Sequence, residues 1–94
     1  MSNIDFANSV KEEIEKFLFA KCLLQSGEKL EFSTQLISDG IVDSLSALEM
    51  VETLERRFSF QVEPTDLDVS NFGTVTAIVE FIQFKLSKKL AGQR

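Results

Sequence analysis

The chain has 94 residues, ten Lys plus Arg against fifteen Asp plus Glu, a net charge of −5, no His, Trp or Tyr, and a single Cys. Without histidine there is no Ser-His-Asp or Cys-His couple, no imidazole acid/base and no His-containing zinc site. Cys22 alone closes no internal disulfide or Cys-x-x-Cys metal clip, and a sequence pI near 4.6 argues against nucleic acid as a partner.

No apolar run approaches the ~20 residues of a membrane span. Met1-Ser2-Asn3-Ile4-Asp5 lacks the basic and apolar regions of a signal peptide, so a cytoplasmic location is expected. With 44% apolar and 27% charged residues the chain is expected to fold. Its length predicts one domain over residues 1–94, with a core from about residue 4 to residue 90. A domain of this size buries only roughly 60–65% of its unfolded surface and leaves little room for a deep cleft.

From Asn3 to about Leu24 the residues Phe6, Val10, Ile14, Phe17, Leu18 and Leu24 keep a helical period broken only by Lys21, predicting a long amphipathic helix. Cys22, inside that span, is expected to be a small buried hydrophobe. Ser26-Gly27-Glu28 supplies a stop signal. Leu30 to Ser38 carries Leu30, Phe32, Leu36 and Ile37 without a sustained period, predicting a long loop with a few buried anchors. Asp39-Gly40 marks a turn before the second helix, roughly Ser44 to Phe58. There Leu45, Leu48, Val51, Leu54 and Phe58 form the apolar stripe, and Glu49, Glu52 and Glu55 occupy another face.

Pro64 stops regular structure, and Thr65-Asp66-Leu67-Asp68 suits one short helical turn before Val69-Ser70-Asn71-Phe72-Gly73. From Thr74, which can cap the start, Val75, Ile78, Val79, Ile82 and Leu86 keep the period to about Leu90. Lys85, Lys88 and Lys89 suit the C-terminal end of its dipole. The expected fold is a small all-α four-helix bundle with three long helices and one short one.

Two readings of Ser44 compete at the start of the second helix. Ser or Asp before an apolar-periodic run accepts hydrogen bonds from unpaired N–H groups, typically worth ~1 kcal/mol, and Ser46 with Glu49 has capping-box spacing. Alternatively Ser44 accepts a phosphoryl group, since a helix N-terminus offers free N–H groups and the positive end of a dipole to an anion. No histidine of this chain can activate its hydroxyl, so such a modification would be installed by another enzyme.

Gly40-x-x-Asp43-Ser44-Leu45, followed by Leu48, Val51, Leu54, Glu55 and Phe58, resembles the acyl and peptidyl carrier protein superfamily. The resemblance extends over nearly the whole chain, through Pro64 and Asn71-Phe72-Gly73-Thr74-Val75 to Ile78 and Phe81-Ile82. It implies a non-enzymatic monomer with 4′-phosphopantetheine, taken from coenzyme A by a Mg²⁺-dependent phosphopantetheinyl transferase, on Ser44. An acyl or aminoacyl intermediate would ride on the distal thiol as a thioester. An acyl- or aminoacyl-loading ligase and downstream synthase or transferase enzymes would be further partners. Asp43 and Leu45 would be recognised beside the attachment point, with Glu49, Met50 and Thr53 extending the docking face. The acidic residues of the second helix predict docking that weakens as salt rises, although a merely solvated flank accounts for them equally well.

Arg56-Arg57, Ser46 and Glu52 depart from what the resemblance implies for a fatty acid synthesis carrier, and Gln61-Val62-Glu63-Pro64-Thr65-Asp66-Leu67-Asp68 through Asn71-Phe72-Gly73-Thr74-Val75 resembles free-standing carriers of specialised pathways, for polyketides, nonribosomal peptides or modified lipids. Arg56 has Glu52 one turn back, whereas Arg57 meets only Thr53, so Arg57 is expected to face a partner. Phe17, Phe58, Phe72 and Phe81 are assigned to the core rather than to a cargo cavity, and Phe60 and Phe84, off the stripes, are candidate contacts if exposed. The other classes left open are a carrier-fold interaction module that is never modified, a fatty acid synthesis carrier, and an autonomous enzyme, for which no acid/base or metal constellation stands out.

Overall fold

The apolar stripe of the first segment folds as α1, Asn3–Ala20, with Val10, Ile14, Phe17 and Leu18 buried. The computed structural model of the chain describes residues 3–25 and 28–92, and the side chains of residues 4–25 and 28–88; Ser26-Gly27 and the Lys89 side chain lie outside what it describes. α1 ends at Ala20 rather than near Leu24 because the chain turns left-handed at Cys22, whose φ is 61°. Around that residue the Cys22 N–H donates to the Phe19 carbonyl at 3.1 Å and the Leu23 N–H to the Leu18 carbonyl at 2.8 Å. These crossed bonds satisfy the last carbonyls of the helix in a Schellman arrangement. The turn re-aims Leu24 into the core and leaves Cys22 exposed, which corrects the expectation of a buried thiol.

The following segment has no regular helix, yet Leu30, Leu36 and Val42 are buried. Its backbone is tied to two helices: the Leu30 N–H donates to the Glu15 carboxylate at 3.1 Å, and both the N–H and the hydroxyl of Thr76 donate to the Phe32 carbonyl at 3.0 Å. The Leu36 N–H donates to the Gly73 carbonyl at 2.8 Å beside an isolated bridge between Gln35 and Thr74. The expected Asp-Gly turn follows, with Gly40 at φ 76°, a conformation in which a side chain would be strained.

α2 spans Ser44–Phe58 and buries Met50, Val51 and Leu54. With Ala47 and Phe58 partly buried beside them, the inward stripe is 47-50-51-54-58, rotated from the expected one. Leu45 and Leu48 therefore face outward, 68% and 46% exposed, while Met50 is fully buried. α2 also ends on a left-handed residue, Ser59, with the N–H groups of Ser59 and Phe60 both donating to the Glu55 carbonyl.

A 3₁₀ turn at Pro64–Asp66 and a short α3, Val69–Phe72, occupy the stretch where one helical turn was expected. α4, Val75–Gly92, is capped as expected: the Thr74 hydroxyl accepts from the Ala77 N–H at 3.0 Å. It buries Val75, Ile78, Val79, Phe81 and Ile82. α1 packs on both α2 and α4, and α3 packs on α4. Phe81 holds edge-to-face contacts with Phe72 and Phe60, at centroid distances of 5.0 and 6.3 Å. The result is the all-α bundle of three long helices and one short helix, with no strand among the described residues. No helix of the described residues is long and apolar enough to cross a membrane.

Candidate attachment site at the start of α2

The cap of α2 is Asp43, not Ser44. Asp43 sits in extended backbone geometry, its carboxylate accepts from the Ser46 N–H at 2.8 Å, and its carbonyl accepts from the Ala47 N–H at 2.8 Å. Hydrogen bonds from the Ser46 backbone and then the Ser46 side chain hold the Asp43 carboxyl below its ordinary pKa of 3.8. Ser44 is the first residue of the helix, exposed, and its hydroxyl makes no hydrogen bond to a described residue. Asp43 thus performs the capping that had competed for Ser44. The Ser46–Glu49 capping box does not form either, because Ser46 lies inside α2 and the cap position is taken by Asp43; Glu49 reaches Lys21 instead.

Beside Ser44 lies an open groove of about 290 Å³ between α2 and the 3₁₀–α3 segment. Buried Val51 and Phe72 and the exposed Leu48, Leu67 and Val69 line it, with Asp43 and Asp68 at its polar edge. A second hollow of about 210 Å³ shares Leu48, Val51 and Leu67 and continues along α2 to Glu52 and Glu55. The first turn of a helix and an apolar channel therefore meet at an unengaged hydroxyl, an arrangement that suits an anionic linkage with a long substituent.

The residues expected to extend a docking face are placed unevenly. Leu45 is exposed next to Ser44. Glu49 is half-exposed and paired with Lys21, and the partly buried Thr53 donates its hydroxyl to the Glu49 carbonyl at 3.0 Å. Met50 is buried in the core and does not reach that face, a correction that follows from the rotated stripe. The two arginines exchange roles. Arg57 pairs with Glu13 of α1 at 3.2 Å and lies over the Phe58 ring, whereas the exposed Arg56 makes no ion pair with a described residue. Phe60 is buried and Phe84 is exposed.

A family model described as a phosphopantetheine attachment site matches residues 18–82, which include Ser44 and both walls of the groove. The chain belongs to this family. A comparison with curated proteins found no match. Carrier domains of the family hold 4′-phosphopantetheine covalently and interact with partner enzymes, and they are not themselves catalytic. In this carrier chain the sequence reasoning missed Leu48, Leu67 and Val69 as surface residues flanking the groove. A signal for Leu48 existed, since Ala47, Met50, Val51, Leu54 and Phe58 already make a complete inward stripe without it.

Proposed function

We propose that the chain is a carrier whose Ser44 is joined by a phosphodiester to 4′-phosphopantetheine, and that it takes an acyl or aminoacyl intermediate from one partner enzyme to the next. The bound group would supply the thiol that carries the cargo as a thioester. In the transfer from coenzyme A the Ser44 oxygen forms the new bond to phosphorus and the adenosine bisphosphate half of coenzyme A leaves. The hydroxyl proton passes to a base of the transferase, since this chain has no histidine to take it.

One observation carries the reading: the cap is made by Asp43, which leaves the adjacent Ser44 hydroxyl exposed and unengaged on the first residue of a 15-residue helix. The free end of that helix favours an anion, and the groove beside it offers an apolar path for the arm. Arg56-Arg57, Ser46 and Glu52 argue against fatty acid elongation, and the stretch from Gln61 to Val75 supports a specialised polyketide, nonribosomal peptide or modified-lipid pathway. The chain would leave catalysis to its partners.

Incubation with coenzyme A and a broad-specificity phosphopantetheinyl transferase is expected to add one phosphopantetheine to the intact mass. Ser44→Ala is expected to abolish the gain with little change in thermal stability, because that hydroxyl makes no contact that the fold needs. A wild-type chain left unmodified by several such transferases, or a Ser44→Ala chain still modified, overturns the proposal.

A further inference from the structure

No side chain of residues 61–71 is buried. This stretch, which forms the far wall of the groove, is anchored at its two ends, where the buried Phe60 and Phe72 both set their rings against Phe81 of α4. Between the ends its hold on the long helices is polar. Toward α2 it has one tie, near its start, from the Val62 N–H to the Glu55 carboxylate at 2.7 Å. Toward α4 it has one at its middle, where the Lys85 ammonium lies 2.6 Å from Asp66 Oδ2. Asp66 passes that hold on: the same oxygen accepts from the Glu63 N–H at 2.9 Å, and the Asp66 carbonyl accepts from the Asn71 side chain at 2.8 Å.

Lys85 is well placed for this. It follows Phe81 by one helical turn, and its ammonium lies 5.6 Å from the centroid of the ring that anchors both ends of the wall. The Lys85 and Asp66 side chains are only 16% and 21% exposed, so their attraction is less screened than that of an open surface pair. Lys88 also attracts Asp66, but from farther off, and its ammonium lies over the Phe84 ring. Across the groove the exposed Leu67 and Val69 face the exposed Leu48 and the buried Val51. Apolar surfaces that face each other across water gain free energy by closing. Here they stand apart, with α3 packed on α4.

We propose that Lys85 is a positioning residue of the groove: by holding Asp66 on α4 it keeps Leu67 and Val69 from closing onto Leu48 and Val51, and so props open the path beside Ser44. The prop acts on the opposite side of the wall from the groove, so it leaves the groove's apolar lining free. That the open path serves a phosphopantetheine arm rests on the carrier function proposed above; the prop itself does not.

The test uses the unmodified full chain with labelled methyl groups, a neutral nitroxide as a soluble relaxation agent, and hexanol as an apolar probe of the groove. Lys85→Met keeps an unbranched apolar stem beside Phe81 and removes the charge. It is expected to strengthen the Leu48–Leu67 methyl cross-peak, to lower nitroxide relaxation of Leu67 and Val69 about twofold to threefold, and to weaken hexanol binding about threefold to tenfold. Lys85→Arg, which keeps the pair with Asp66, and Lys88→Met are both expected to behave as the wild type. A wall that Lys85 merely stiffened would respond with the opposite sign, becoming more open to nitroxide without losing hexanol. That result, or no change in Lys85→Met, overturns the inference, as does an equal effect of Lys88→Met. If Lys85→Met does not fold, Asp66→Asn takes its place, since it removes the charge and keeps an oxygen for the Glu63 N–H, and the same signs decide. A chain that closes on loss of Lys85 but takes up no phosphopantetheine overturns the carrier reading alone, and a modified chain whose groove ignores Lys85 overturns this inference alone.

Discussion

Two irregular segments approach the groove from opposite sides, and they are held in different ways. Residues 28–43, which lead into Ser44, sink Leu30, Leu36 and Val42 into the core and exchange backbone bonds with Gly73 and Thr76 across the fold. Residues 59–68, which lead to the opposite wall, bury Phe60 at their start but expose Leu67, and depend on polar ties. The Val62 N–H reaches Glu55, Asn71 reaches the Asp66 carbonyl, and Asp66 pairs with Lys85 at 2.6 Å. Apolar burial is worth roughly 25 cal/mol per Å² and a partly exposed hydrogen bond only ~1 kcal/mol net, so the first segment resists local opening more than the second. Ser44 is thereby presented from an anchored side, while the facing wall, including the four-residue α3, can yield to what enters the groove.

The largest expected effect tests that difference directly. Leu36→Ala empties a fully buried position in the anchored segment and should cost about 2–5 kcal/mol in chemical denaturation. Leu67→Ala, on the exposed wall, should change stability by less than about 0.5 kcal/mol. Hydrogen exchange should agree, with the Leu36 amide protected at least about tenfold more than the Leu67 amide, whose bond to the Pro64 carbonyl is local and 3.3 Å long. Equal costs, or equal protection, would remove the distinction between the two walls.

The sequence makes α1, α2 and α4 visible because their apolar residues repeat at the helical period and each has a recognisable end, such as Thr74 before α4. Leu30 and Leu36 stand out as apolar residues in a polar stretch and are buried as expected; Phe32 stands out equally, and the structure leaves it exposed. What stays hidden depends on partners distant in sequence. In α2 both possible stripes are apolar, and only packing against α1 selects the one with Met50 and leaves Leu45 and Leu48 outside. Glu13 lies 44 residues from Arg57, so spacing along α2 could not show which arginine is engaged. The proposal of Ser44 as the attachment residue rests on Asp43-Ser44-Leu45, whereas the sharing of roles between Asp43 and Ser44 needed the cap geometry.

A smaller effect is expected at the turn that ends α1, ahead of the anchored segment. Cys22 adopts the left-handed conformation that a Schellman turn usually gives to glycine, and a residue with a Cβ loses roughly 1 kcal/mol there. Because the thiol is exposed, Cys22→Gly removes little packing. The substitution should raise stability by up to about 1 kcal/mol and the melting temperature by about 4–8 °C, measured by calorimetry. Destabilisation instead would mean that the left-handed turn is not what ends α1, and Lys21 would lose the anchor that aims it at Glu49.

The smallest expected effect separates the two walls by how each holds a carboxylate. Asp43, on the anchored side, is kept below its ordinary pKa of 3.8 first by the Ser46 N–H and then by the Ser46 side chain. Asp66, on the other, is kept below 3.8 first by its hydrogen bond from Lys85 and then by the Glu63 N–H. A pKa lower in the folded than in the unfolded chain means that each contribution is fully present above the unfolded value and is lost as pH falls through the folded one. Stability should therefore decline below about pH 4, and Asp43→Asn and Asp66→Asn should each flatten that acid limb. Asparagine can still cap α2, so Asp43→Asn removes the titration while keeping the hydrogen bond. Added salt screens an ammonium–carboxylate attraction more than it weakens a bond to a backbone N–H. The part of the acid limb that Asp66→Asn removes should accordingly shrink in high salt, and the part that Asp43→Asn removes should persist. Denaturation curves across pH at two salt concentrations measure both, and equal salt sensitivity would show that the two sides of the groove are held by the same kind of force.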